Sequence, residues 1–131
     1  MVMAVASALV SARLDYANSI FFGCPQKHIS RPQRVQHALA RVVMQQAYRS
    51  SSSTELLKQL HWLPIEWRIR FKLATSTYKT LHTNHPPYLT DLLQYHKSSL
   101  STRFSTSQLL AIPRHNLSFN SRSFRVSAPK I

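Results

Sequence analysis

A single glycine, Gly23, serves a chain of 131 residues that also carries seven prolines. Average proteins use glycine at about 7%. Phosphate-cradling loops, tight hairpins and dinucleotide-binding turns depend on the positive φ angles and close backbone approach that glycine allows. Those devices are almost excluded, and helices punctuated by proline become the default. Apolar residues make up 44% of the chain, enough for it to fold. A chain of this length buries roughly two thirds of its unfolded surface, which fits one core and one domain, or part of one.

Apolar spacing locates the helices. Leu9, Ala12, Tyr16 and Ile20, with Val5 before them, recur at intervals of three and four and predict a first helix over about 3–22. Gly23 supplies its C-terminal cap and Pro25 blocks continuation. A second helix is expected over about 31–48, with Ser30 as N-cap and Pro32 in the first turn, where a missing N–H costs little. Val35, Leu39, Val42 and Val43 form its expected apolar face, and Arg31, Arg34, His37 and Arg41 line the other side. The serine run at 49–53 reads as a flexible connection. Thr54 is expected to cap a short helix, "ELLKQL", with Glu55 at its positive end.

The stretch "HWLPIEWRIRFKLATSTYKTLH", residues 61–82, is the most strongly patterned of all. Pro64 opens a helix over about 65–82. Ile65, Trp67, Ile69, Leu73, Ala74, Tyr78 and Leu81 spread over a wide arc of it, which predicts a helix embraced by protein on most of its circumference. Arg68, Lys72, Lys79 and His82 share the remaining strip. Arg70 falls inside the arc, and Glu66, one turn earlier, is its expected ion-pair partner. "HTNHPP" then breaks the helix, and "YLTDLLQY" (88–95) reads as another short one. Beyond about residue 96 serine, threonine and arginine dominate. There "QLLAIPR" and "SFRVSAP" are either short strands pairing with one another or weakly ordered arms.

Charge narrows the partners. Seventeen Lys and Arg oppose four Asp and Glu, a net charge of +13. Such an excess favours polyanions, either nucleic acid or an anionic membrane surface, or an acidic surface on a neighbouring protein segment. No stretch reaches the ~18 apolar residues of a membrane span. The opening "MVMAVASALVSAR" lacks the positive start of a signal peptide and continues as a helical pattern. One cysteine, Cys24, leaves no internal disulfide.

Chemistry is poorly provided for. Acid–base or two-metal catalysis needs converging carboxylates, and Asp15, Glu55, Glu66 and Asp91 fall on four different elements. Cys24 with His28, and His82 with His85, lack dependable zinc spacing and stand over fifty residues apart. No cofactor, metal or small-molecule substrate is expected. What stands out is two cationic rows at helical spacing: Arg31, Arg34 and Arg41, then Arg68, Lys72 and Lys79. Such rows suit a phosphate backbone, and in other proteins are only solvated faces. Arg103, Arg114, Arg122, Arg125 and Lys130 add a basic tail.

The segments "SARLDYANSIFFGCP", "ISRPQRVQHALARVV", "LLKQLHWLPIEWRIRFKLATSTYKTLH", "PPYLTDLL", "LLAIPR" and "SFRVSAPK" together resemble the C-terminal part of reverse transcriptases of jockey-like, LINE-type non-LTR retrotransposons. The resemblance is collinear over about residues 9–130. It implies that the first two helices are a thumb gripping template and primer, and that the rest is a C-terminal extension. The parent it implies is a magnesium-dependent RNA-directed DNA polymerase that works in the nucleus, but no palm aspartate motif occurs here. From the family only the facing of Arg31, Arg34 and Arg41 toward nucleic acid carries over. Departures are Pro32 and Cys24, where the family usually has leucine, and the lack of cysteine after "LDY". The chain reads as a truncated element copy.

The expectations are therefore these. The fold is mainly α, an irregular helical bundle with a poorly ordered tail and the option of one short two-stranded β pair. Residues 1–48 form a thumb-like helical pair, 49–95 a helical extension packed on it, and 96–131 a loop-rich basic tail. The chain is expected to be non-catalytic, binding RNA or DNA backbone nonspecifically or docking on the polymerase domain. The alternative is an inert structural remnant.

Overall fold

The computed structural model describes residues 2–45, 52–97 and 109–131. It is mainly helical, as expected, with α1 over Val2–Asp15, α2 over Gln26–Val43, α3 over Ser53–Gln59, α4 over Ile65–Thr83, α5 over Pro87–Thr90 and α6 over Phe124–Ser127. Two compact units divide the chain, Met1–Phe71 and Lys72–Ile131, so the boundary falls within α4.

In the first unit α1 packs on α2 and α2 on α3. Two apolar clusters hold it. Ile29 of α2 meets Ile65 and Ile69 of α4, with Leu14 of α1 and Phe22 against them. Ala40 of α2 meets Leu56 and Leu57 of α3, with Met44, Leu60 and Trp62 around them. Burying a Leu or Ile side chain stabilises by about 1.5–3 kcal/mol, so these few residues dominate the unit.

The first helix is shorter than expected. It ends at Asp15, Ala17 turns left-handed at φ 49°, and a single 3₁₀ turn, Asn18–Phe21, follows before Gly23 at φ 73°. The expected apolar face is also not the buried one. Leu9, Ala12, Tyr16 and Ile20 are exposed, whereas Leu14 points into the cluster and Val10, one turn earlier, is half-buried.

α2 begins one and a half turns earlier than its sequence suggests. Pro25, extended, is its N-cap, and Pro32 lies inside the helix. Ser30 does not cap it. Its hydroxyl donates back to the Lys27 carbonyl at 2.9 Å. Pro32 forfeits one intrahelical hydrogen bond, yet the added turns carry Ile29, which is 8% exposed. Burial of that side chain offsets the loss. The inward face is rotated from the expected one: Ile29, Gln36 and Ala40 are buried, while Val35 and Val42 are about half-exposed.

The two glutamines on that face latch the start of α4. Gln36 donates through Nε2 to the Leu63 carbonyl at 2.8 Å, and Gln33 accepts at Oε1 from the Ile65 amide at 2.8 Å. Gln33 Nε2 donates to Gln36 Oε1 at 3.0 Å and lies 2.7 Å from His37 Nε2. With Gln33 Oε1 occupied by an amide, its Nε2 is the donor, so His37 Nε2 accepts and the ring is neutral. Burial, then the Arg41 charge, lowers the His37 pKa below 6.5, consistent with that assignment.

Lacking glycine, the helices end on other residues in the left-handed region: Gln45, His61 and Asn84 have φ of 52°, 54° and 54°. After α3 the geometry is a Schellman turn. The Trp62 amide donates to the Leu57 carbonyl at 2.8 Å and the His61 amide to Lys58 at 3.0 Å. Thr54 is not the cap of this helix, because Ser52, extended, precedes it. Of the expected serine connection, residues 49–51 lie outside the described residues.

In the second unit Leu73, Thr77 and Thr80 of α4 are buried, as are Val126, Ser127 and Ala128. Thr77 and Thr80 donate their hydroxyls to carbonyls one turn back, Leu73 at 2.9 Å and Ser76 at 2.8 Å, which lets polar residues lie inward. "YLTDLLQY" is helical only at its start, since α5 ends at Thr90. The β pair between "QLLAIPR" and "SFRVSAP" does not form. Among the described residues there is no strand, and the one bridge pairs Tyr95 with Leu110, with the His96 amide donating to Leu109 and the Ala111 amide to Gln94 at 2.7 Å each. "SFRVSAP" is instead helical, α6 followed by a 3₁₀ turn at Ala128–Lys130. The hydroxyl of Ser127 donates to the Ser123 carbonyl at 2.9 Å, a bond available only to a helical backbone here.

Candidate nucleic-acid interface

The cations expected to form two rows separate by what they touch. Arg31 and Arg34 are exposed on α2. Because the helix starts at Gln26, Lys27 joins them, and Lys27, Arg31 and Arg34 stand at i, i+4 and i+7 on the face opposite Gln36 and Ala40. Lys27 is the residue sequence reasoning missed. Its spacing to Arg31 was the available signal, hidden by placing the helix start at residue 31. Arg41 lies at the edge of this row and is half-buried, its Nη2 donating to the Ser53 hydroxyl at 2.7 Å. That bond ties α2 to the start of α3.

The row on α4 is less uniform. Arg68 Nη1 reaches both carboxylate oxygens of Asp15 at 2.9 Å and its Nε donates to the Leu63 carbonyl at 3.1 Å, with only 16% of its side chain exposed. Arg68 is thus a tie between α1 and α4 and not a presented charge. Lys72 and Lys79 are exposed. Arg70 pairs with Glu66 at 2.9 Å, as the spacing predicts, and its guanidinium also lies over the Trp67 ring, 5.1 Å from the centroid. In the tail Arg114, Arg125 and Lys130 are exposed, Arg122 lies 5.6 Å over the Phe119 ring, and Arg103 lies outside the described residues.

The larger departure is on α4 itself. Its buried residues, Ile65, Ile69, Leu73, Thr77 and Thr80, form one narrow stripe, while Trp67, Phe71 and Tyr78 are 56%, 65% and 63% exposed. The helix is not embraced on most of its circumference. Trp67 and Tyr78, assigned to the buried arc, face outward instead, because the β-branched and aliphatic residues fill the stripe.

Among the described residues no three His, Cys, Asp or Glu side chains converge as metal ligands. A cavity of about 220 Å³ beside the start of α2 is lined by Phe21, Phe22, Cys24, Ile29, Glu66 and Arg70, among others. Its single carboxylate is already paired with Arg70. No described helix is long and apolar enough to cross a membrane. The arrangement defines a basic, mainly helical protein whose distinctive chemistry is its outward cations and rings. No family model matches the chain, nor does any curated protein or solved structure.

Proposed function

We propose that this chain binds RNA or DNA through phosphate contacts, without reading sequence and without catalysing a reaction itself. We infer further that it corresponds to the thumb and downstream region of a jockey-like LINE-type non-LTR reverse transcriptase. The observation that carries the binding is the exposed Lys27–Arg31–Arg34 row on α2, free of any acid on its own face. Cations at helical spacing gain affinity by releasing counterions from a phosphate backbone, and they do so without distinguishing bases. The net charge of +13 adds long-range attraction. The collinear resemblance over residues 9–130 supports the assignment to the polymerase family.

The test is a titration of RNA and duplex DNA against salt. Several phosphate contacts give a log-affinity slope steeper than about −3, and Arg31→Ala with Arg34→Ala removes about 1.5–2 units of it. A slope unchanged in the double variant sinks the assignment to α2. A second reading, a structural remnant without independent function, draws support from Arg68 and Arg41, which are turned to Asp15 and Ser53 of the chain itself. Under that reading the wild-type protein shows no salt-dependent binding at all.

A further inference from the structure

We propose that the outward face of α4 is a stacking platform for the unpaired bases of single-stranded nucleic acid, with Trp67 and Tyr78 as its principal rings. The proposal rests on the nucleic-acid reading above and adds to it the kind of strand and the residues that recognise it.

The face is built in two places along one unbroken helix. In its first half the Trp67 ring is 56% exposed with Arg70 beside it at 5.1 Å, and Phe71, 65% exposed, follows one turn later. In its second half Tyr78, 63% exposed, lies against His82, the ring centroids 4.1 Å apart and the planes inclined by 36°. At about 100° per residue Trp67, Phe71 and Tyr78 fall within about 40° of one another. They point away from the stripe of Ile65, Ile69 and Leu73.

Exposing three large rings costs about 25 cal/mol for each Å² of apolar surface left in water. Among the described residues the aliphatic side chains of α4 already fill its inward stripe, and the rings stand outside it. The chemistry of the face then selects its occupant. Lys79 and Arg70, both exposed, flank the rings on either side, and Glu66 is the only acid on the helix. Planar rings interleaved with cations match a strand that offers π-faces and phosphates alternately, and each base stacked on an aromatic ring contributes about 1–3 kcal/mol. A duplex hides its base faces and leaves this platform unused. A bilayer is the poorer match, since Ile65, Ile69 and Leu73, the aliphatic residues that would enter acyl chains, are buried.

The experiment measures affinity of the full chain for three fluorescent probes at fixed salt: a single-stranded oligonucleotide, an abasic strand of equal length and charge, and a duplex. The expected result is tighter binding to the base-bearing strand than to the abasic one. Trp67→Ala weakens the base-bearing strand roughly 5- to 100-fold and leaves the abasic strand and duplex unchanged. Tyr78→Ala does the same to a smaller degree. Thermal unfolding of both variants stays at the wild-type midpoint, as befits exposed side chains. Equal loss on all three probes, or no loss on the single strand, overturns the platform while the α2 contact survives. Loss of binding to phosphatidylserine vesicles with single-strand affinity intact also overturns it and makes the face a membrane contact. If the wild-type protein ignores every probe, the phosphate reading falls as well; if it binds all three with a salt slope that Arg31→Ala and Arg34→Ala reduce while Trp67→Ala changes nothing, only the platform falls.

Discussion

The outward faces of α1 and α4 are both rich in apolar residues, yet they are chemically different surfaces. α1 exposes Val5 and Leu9 and carries one cation, Arg13, in its last turn. α4 exposes Trp67, Phe71 and Tyr78 among Arg70, Lys72 and Lys79. Aliphatic side chains without charge suit a protein surface, which excludes water by shape. Rings among cations suit a partner with flat faces and negative charge. The two faces show that exposure of apolar area says little by itself, and that the residues interleaved with it decide what it fits. Their inward faces differ too, since α4 contributes Ile65 and Ile69 to the main cluster while α1 contributes little more than Leu14.

The largest effect separates inward from outward. Ile69→Ala is expected to lower stability by about 2–4 kcal/mol, read from urea unfolding of the whole chain, because Ile69 is 2% exposed. Leu9→Ala, at a position 65% exposed, should cost less than about 0.5 kcal/mol. Equal costs would mean that α1 is packed as tightly as α4.

A middle-sized effect concerns the tie between the two helices. Arg68→Met removes the Nη1 contact to both Asp15 carboxylate oxygens while keeping the aliphatic stem. Solvent reaches Asp15, whose side chain is 48% exposed, so the expected cost is only about 0.5–1.5 kcal/mol and shrinks in high salt. A double-mutant cycle with Asp15→Asn isolates it. A coupling energy of zero would make the ion pair incidental to how α1 meets α4.

A smaller effect has the opposite sign. His61 closes α3 in the left-handed region, where a Cβ is strained. His61→Gly is expected to raise stability by about 0.5–1 kcal/mol, seen as a higher unfolding midpoint. Destabilisation instead would show that the His61 side chain itself is needed by the turn leading into α4.

The finest test concerns the latch that starts α4. His37 is neutral when it accepts from Gln33, and its pKa is lowered first by burial and then by Arg41. The unfolded chain therefore takes up the proton first as pH falls. The contribution to stability is fully present above 6.5 and is lost as pH drops through the lower folded value. His37→Gln should flatten that part of the stability–pH profile; a profile identical to wild type would remove His37 from the latch.

Much of the architecture was legible along the chain. A lone glycine and apolar spacing of three and four announce helices, Pro64 and "HTNHPP" bound α4 closely, and Glu66 pairs with Arg70 because four residues make one turn. The start of α2 was not legible, because Ser30 and Pro32 imitate a helix opening so well. Pro25 and Ile29 overrule them only through Ile65 and Ile69, thirty-six residues or more away in sequence. For the candidate site, Arg31 and Arg34 stand where the wheel puts them, whereas Arg68 is withdrawn by Asp15, 53 residues earlier, a distance no local pattern spans.

Composition and helical periodicity by themselves determined that this chain is strongly basic, that it is mainly α-helical, and which residues share a face. Which of two competing faces turns inward was decided by tertiary contact. On α1 the apolar spacing favours the row through Leu9, yet it is Leu14 that meets the isoleucines of α2 and α4. On α4 the branched aliphatics claim the narrow stripe and leave Trp67 and Tyr78 in water. The reason is physical: a helix repeats its own pattern locally, but the free energy of burial depends on a partner surface brought from elsewhere in the chain.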